Sequence, residues 1–524
     1  MSRRRVGVIA LAVLTLALLL SPGAVAQREK GTLVIGTTDR ITELSPENSY
    51  DYWTWHVFQQ TAEALVTFKP GTTEIGPSLA TSWTISPDGK VYTFKLRKGV
   101  TFTDGTPFDA AAVKWSIERA LRLNGPEGGV ALIMNIGKID VVDDFTVRFT
   151  LKQPDATFLA RMSDPIAPAM IFSPKSTPAN EFAKGRYAGT GPYRLVQYVP
   201  EQRTVYEAYK GYWGPQPKSP RVITVFFADA SALAAAVEAG QVDVGYRTFN
   251  PEDIVRLSKN PNLQVLRGPS MSVRYIVFNV TAKPFDNPKV RRAIAYAVDR
   301  ERIVRDVFAG LNSPLYSMVP PGLWSHVPAF PKRNLDQARA LLREAGYSPT
   351  KKLAITLWYT PLHYGTTEAD VAAVVKSSLE QTGMISVDVK SLEWGAYVKA
   401  MSKGEFGIFF LGWYPDFVDP DNFLAPWLTE SPEGLGTFLN KATNPADKQA
   451  YARFQKLLTD AKLTAEKSKR QAIYQEAQRL LAETAILLPL WKNDQQAVAI
   501  AQKNVKGIVL DPTMNFRTWL IYKE

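Results

Sequence analysis

The side chains able to do acid–base, metal or nucleophilic chemistry are few and scattered. The chain of 524 residues holds three histidines, His56, His326 and His363, and no cysteine. Without cysteine there can be no disulfide, iron–sulfur cluster, thiolate metal site or thiol nucleophile. The histidines show no zinc-type or triad-type spacing in sequence, so each reads as structural or exposed. His363 stands out because it lies in a polar loop, Pro361-Leu362-His363-Tyr364-Gly365. No P-loop, Gly-x-Ser-x-Gly elbow or His-Glu-x-x-His string occurs, and no cofactor motif is present. Ser348 and Lys351 have Ser-x-x-Lys spacing, but they follow a helix-stopping glycine and precede a strand, which reads as a turn. Gly189-Thr190-Gly191-Pro192-Tyr193 leads into a strand, whereas a dinucleotide fingerprint opens a helix. Asp419-Pro420-Asp421-Asn422 alternates acids but lacks the glycine and distal glutamate of a calcium loop. Paired carboxylates of a glycosidase are defined by spatial separation, so a secreted hydrolase stays open as a rival, distinguished by turnover.

The elements that must position any site alternate between strand and helix. Thr32-Leu33-Val34-Ile35-Gly36 reads as a short buried strand. Tyr92, Phe94 and Leu96 alternate with Thr93 and Lys95 after a Ser86-Pro87-Asp88-Gly89 turn, which predicts a hairpin. Asp109 can cap a helix with Val113, Ile117, Ala120 and Leu121 on one face, and Phe145, Val147, Phe149 and Leu151 make a further strand. Asn287-Pro288 and Asn334 start two more helices, Gly346 ends the second, and Val371, Val374, Val375 and Leu379 stripe another. Strands are expected over 353–359, 385–389 and 407–411. The class is mixed α/β. No Gly/Ser-rich linker interrupts it, which favours lobes joined by crossing strands.

Residues 3–5 are three arginines, residues 6–20 are apolar apart from Gly7 and Thr15, and Ala24-Val25-Ala26 supplies small residues for cleavage. This is the pattern of an export signal removed after Ala26. The chain has no cysteine to carry a lipid at the mature terminus, so a free, periplasmic protein is expected. The composition, 45% hydrophobic and 21% charged, is that of a globular protein of two to four domains. The net charge of +12 is interspersed along the chain without a polybasic run, which argues against a nucleic-acid partner.

Five stretches together resemble the solute-binding proteins of bacterial ABC importers, extracellular family 5, which includes dipeptide- and oligopeptide-binding proteins. They are 79–107, with Tyr92-Thr93-Phe94-Lys95-Leu96-Arg97-Lys98-Gly99-Val100 and Phe102-Thr103-Asp104-Gly105-Thr106-Pro107; Gly189-Thr190-Gly191-Pro192-Tyr193; Phe278-Asn279 with Asn287-Pro288-Lys289-Val290-Arg291-Arg292; Ala338-Arg339-Ala340-Leu341-Leu342 with Ala345-Gly346-Tyr347; and Gly412-Trp413-Tyr414-Pro415-Asp416 with Asp419-Pro420-Asp421-Asn422-Phe423.

The resemblance implies a periplasmic-binding-protein-like α/β fold of the large class II type. After a signal over 1–26, lobe one would span 27–270 with an inserted subdomain over about 62–180. Lobe two would span 271–494, and 495–524 would return to lobe one. It implies a non-enzymatic, monomeric binding protein without cofactor or metal, whose lobes close on a peptide and dock on an ABC permease with its ATPases. Asp416 would accept the peptide's ammonium group. Gly412, Trp413 and Tyr414, with the early loop residues Tyr50, Asp51, Tyr52 and Trp53, would form cleft edges and walls, joined by His363 and Tyr364. Dipeptide binders carry a carboxylate-clamping arginine near the start of the helix matching 367–381. Here 363–370 reads His-Tyr-Gly-Thr-Thr-Glu-Ala-Asp, without arginine. That departure favours longer peptides anchored elsewhere, with an oligosaccharide or other small solute as the alternative ligand.

Overall fold

The structure, a computed structural model, describes residues 31–429 and 434–524. The expected export signal over 1–26 lies outside the described residues. Two large sheets organise the chain. The first has seven strands in the order Tyr193–Val199, Arg203–Ala208, Arg221–Phe226, Thr32–Thr37, Val244–Tyr246, Val498–Gln502, Leu263–Arg267. Thr32–Thr37 is buried throughout and pairs in parallel with both Arg221–Phe226 and Val244–Tyr246. A parallel pair needs a crossover, and the helix Ala230–Glu238 supplies it, capped by Asp229. Both faces of this sheet are covered. Leu33 and Ile35 pack with Val222, Val244 and Ala499 on one side, while Val34 packs with Leu233, Val237 and Ile500 on the other.

The second sheet has six strands: Ser313–Pro314, Leu487–Lys492, Val273–Phe278, Ile408–Trp413, Leu353–Tyr359, Ile385–Ser391. The chain leaves the first sheet after Arg267, returns to it at Val498, and builds the second sheet in between. These two passages stand where a flexible linker would otherwise join the lobes. A separate four-stranded sheet, Ala80–Ile85, Val91–Leu96, Thr146–Leu151, Ile136–Asp143, packs on the helix Ala110–Leu123. No helix among the described residues is long and apolar enough to cross a membrane.

Local signals start the helices as expected. Asp109 accepts from Ala112 N at 2.8 Å, Asn287 from Lys289 N at 3.0 Å, and Asn334 from Gln337 N at 3.0 Å. The Ser348/Lys351 string is a turn closed by reciprocal backbone bonds of 3.0 and 3.1 Å. Gly191 sits where two backbone segments cross. A Cβ there would lie 2.5 Å from the Thr61 carbonyl carbon and 2.6 Å from Ala62 N, so only glycine lets the two backbones pass.

Glu63 lies at this crossing. Its carboxylate accepts from Trp213 Nε1 and Thr190 Oγ1, both at 2.8 Å, and from Tyr212 OH at 3.2 Å. Burial nevertheless dominates and lifts its pKa from 4.5 to about 7. The folded state then holds a proton that the unfolded chain has lost, so stability falls as pH rises from about 4.5 to about 7. Glu63→Gln is expected to remove this component. Thermal midpoints at pH 5 and pH 8 check it: the variant should gain on the wild type at pH 8, and a constant difference would contradict the assignment.

Candidate functional site

The strand Ile408–Trp413 runs antiparallel to Val273–Phe278, with Gly412 opposite Arg274 and Trp413 opposite Val273. Its carboxyl end delivers Gly412, Trp413, Tyr414, Pro415 and Asp416 to a cavity of about 620 Å³. Facing them, from the segment leading into the helix Tyr52–Thr61, are Tyr50, Asp51 and Tyr52. The lobes touch across this cavity. Tyr50 OH donates to Asp416 Oδ1 there, and in the space adjoining it Thr366 Oγ1 donates to Asn250 Oδ1 at 3.3 Å.

Asp416 is oriented by one neighbour. Asn422 Oδ1 accepts from Asp416 N at 2.9 Å and from Trp413 Nε1 at 3.1 Å, while its Nδ2 donates to Asp416 Oδ2 at 3.0 Å. The Asp-Pro-Asp-Asn string is therefore a positioning turn. Asp419 within it is spent on Arg470, at 2.9 and 3.0 Å. Burial raises the Asp416 pKa, opposed by the bonds from Tyr50 and Asn422 and by the Arg161 charge. Burial also raises Tyr50, and the adjoining Asp416 charge adds to it, so the phenol stays protonated and donates.

Aromatic rings make most of the remaining wall. His363 stacks on Trp394 with centroids 3.6 Å apart and planes 4° apart, and Tyr364 meets the same indole edge-on at 5.7 Å. Partial desolvation against Trp394, reinforced by the Arg274 charge, lowers the His363 pKa to about 4, so the imidazole is neutral near pH 7 and serves as a flat polar wall. Trp413 packs edge-on against the buried Trp427 at 4.8 Å. Val398, Met401, Leu411 and Leu435 complete an apolar floor. A concave, mainly apolar site with a few fixed polar groups is the usual form of a ligand pocket.

Gly412 is needed for Arg274 to fit. A Cβ there would lie 2.8 Å from Tyr364 Cε1 and 2.9 Å from Arg274 Cδ. The Arg274 guanidinium lies 3.6 Å from the Tyr364 ring centroid and donates through Nη2 to Glu368 Oε2. Glu368 opens the helix Glu368–Glu380, in the stretch that lacks the dipeptide-clamp arginine.

Nine of the ten residues expected at the site line the cavity: Asp416, Trp413, Tyr414, Gly412, Tyr50, Asp51, Tyr52, Tyr364 and His363. Trp53 does not. It is 1% exposed and lies in the core of the first lobe, stacked on His56 at 4.4 Å and tilted against Tyr246 at 6.5 Å. The cause is that 49–53 is not wholly a loop: a helix begins at Tyr52, and its first turn rotates Trp53 inward while Tyr52 stays on the cavity. Asp51 is the helix cap, accepting from Thr54 N at 2.8 Å and from Thr42 Oγ1, so its carboxylate is already committed. Sequence reasoning missed Asn422 as the group that aims Asp416, and it missed Trp394. It also missed Arg247 and Arg274, whose burial beside the cleft no local pattern encodes.

The comparisons with known proteins agree with this geometry. The family model for bacterial extracellular solute-binding proteins, family 5, matches residues 74–434. The chain is 32% identical over 479 residues to the dipeptide-binding protein of Escherichia coli (strain K12), covering 86% of each chain. It is 32% identical over 490 residues to heme-binding protein A of Haemophilus influenzae, covering 87% of this chain and 85% of that one. Among solved structures it superposes, with a TM-score of 0.74 and 28% identity, on the periplasmic binding protein DppA from Helicobacter pylori in complex with the peptide STSA, covering 94% of this chain and 98% of that one. The matches extend over nearly the whole two-lobed fold, and the family model alone covers well over half the chain, so the protein belongs to the bacterial extracellular solute-binding proteins of family 5.

Proposed function

We propose that this protein captures peptides with a free amino terminus outside the cytoplasmic membrane and delivers them, unaltered, to an ABC permease. The observation that carries this reading is Asp416. It is a recessed carboxylate, aimed by Asn422, at the end of a strand whose Gly412-Trp413-Tyr414 edge lines a cavity between two lobes. In a cleft of low dielectric, a fixed carboxylate selects a ligand ammonium group. An extended ligand beside a strand end can be held by main-chain contacts that do not depend on its side chains. The protein acts as a periplasmic monomer, with closure of the lobes as the signal the permease reads. Membership of a family of solute-binding proteins supports binding without turnover.

Denaturing mass spectrometry of the purified protein, followed by calorimetric titration with defined peptides, tests the reading. Peptides in the extract, saturable peptide binding and intact peptide recovered after incubation are the expected result. An oligosaccharide, a tetrapyrrole or another solute in the cleft, with peptides silent, would overturn the peptide assignment while leaving the transport role.

A further inference from the structure

The cavity holding Asp416 continues into a second chamber of about 460 Å³, and Arg247, His363, Tyr364 and Tyr414 line both. Thr38, Asp39, Thr248, Asn493 and Gln495 make the second chamber polar. Arg247 follows the carboxyl end of Val244–Tyr246, and Asp39 follows that of its parallel neighbour Thr32–Thr37. The crevice outside the carboxyl ends of parallel strands is where α/β sheets place ligands.

Arg247 is 7% exposed and is held from several sides. Its Nε and Nη2 donate to Asp39 at 2.6 and 2.8 Å. Its guanidinium lies 4.3 Å from the Tyr52 ring centroid on one lobe and 5.6 Å from that of Tyr414 on the other. Arg247 and Thr248 are consecutive left-handed residues, with φ of 48° and 64°, and neither is glycine. Such backbone persists where the surroundings over-determine it, and it collects at ligand sites. Asp39 occupies only one edge of the fork. Nη1 is buried and has no hydrogen-bond partner among the described residues. A buried donor left unpaired is costly, so the edge is set for an acceptor brought by the ligand.

We propose that Arg247 is the carboxylate subsite of this cleft: a peptide whose ammonium group lies on Asp416 places its terminal carboxylate on the Nη1 edge of Arg247. The inference rests on the peptide reading above. Asp39 already balances the charge, so the subsite works by aimed N–H donors. It favours carboxylate over neutral carbonyl because charge-assisted bonds are about twice as strong and the planar fork matches a carboxylate. Arg274 strengthens the same wall. It is 1% exposed, lines the second chamber, and keeps Nε and Nη1 without partners among the described residues. The clamp missing from the helix Glu368–Glu380 is thus supplied from the opposite lobe, which ties carboxylate recognition to closure.

Calorimetry with a tripeptide as free acid, as C-terminal amide and as N-acetyl derivative tests this. The wild type should bind the free acid at least about tenfold more tightly than the amide. In Asp39→Asn/Arg247→Gln, which removes both charges together, the acid-to-amide ratio should collapse toward one while the penalty for N-acetylation persists. A wild type that binds acid and amide equally overturns the subsite, and needs no variant to fold. So does a double variant with a wild-type thermal midpoint and an unchanged ratio. An acidic side chain restoring tight binding to the amide would show that the edge takes a carboxylate from either source, as the chemistry requires. If no form binds the wild type, the peptide reading falls, and this subsite with it.

Discussion

Asp416→Asn is expected to weaken binding of a free-amine peptide by roughly 100-fold or more, since breaking one side of a desolvated charge pair costs about 3–5 kcal/mol. Asparagine keeps the shape and the backbone bond to Asn422 Oδ1, but its single carboxamide oxygen can accept from only one of Tyr50 OH and Asn422 Nδ2, so the loss combines the charge with one neutral hydrogen bond. N-acetylating the peptide should cost the wild type about as much and the variant little, a coupling that calorimetry reads as a double-mutant cycle. The pH dependence has a definite sign. Burial raises the Asp416 pKa, and only the ionised form attracts ammonium. Wild-type affinity should therefore fall as pH drops through that raised pKa, and the asparagine variant should lose this acid limb. Equal affinities for wild type and variant at pH 7 would remove Asp416 from ligand recognition.

Asp447→Ala is expected to destabilise the second lobe by about 3–5 kcal/mol, because it strands a buried guanidinium. Arg291 and Asp447 are both fully buried, joined at 2.5 Å (Nη2–Oδ1) and 3.1 Å (Nη1–Oδ2). Arg291 also donates to Thr484 O at 3.0 Å and Phe285 O at 2.7 Å. The pair thereby fastens the helix Pro288–Ala297 to Pro445–Leu463 and to the end of Lys467–Thr484. Arg291→Met/Asp447→Leu should recover most of the loss, because an apolar pair of similar volume removes the desolvation penalty of both ions. Denaturant midpoints of the three proteins check this. A double variant as unstable as Asp447→Ala would show that the backbone carbonyls around Arg291, rather than its charge partner, dominate.

The local features of this fold were written in the sequence because they depend on neighbours in the chain. Alternation of apolar residues over Leu353–Tyr359 needs only a sheet with one buried face, and capping by Asp109, Asn287 and Asn334 needs only the next turn of helix. The helix Tyr52–Thr61 was not legible. Nine of its ten residues are buried, so it has no polar face and no 3.6-residue stripe to read. That loss of periodicity is also why Trp53 could be mistaken for a cleft wall. The motif around Asp416 named its end of the cavity from sequence, and the folded chain added Asn422 to aim it and Tyr50 to meet it. The arginines belong wholly to tertiary structure. Arg247 finds Asp39 across 208 residues of chain, and Arg274 finds Glu368 across 94. A guanidinium reads as solvated surface until the fold removes its water, and what it then binds depends on which of its N–H groups the fold leaves unpaired.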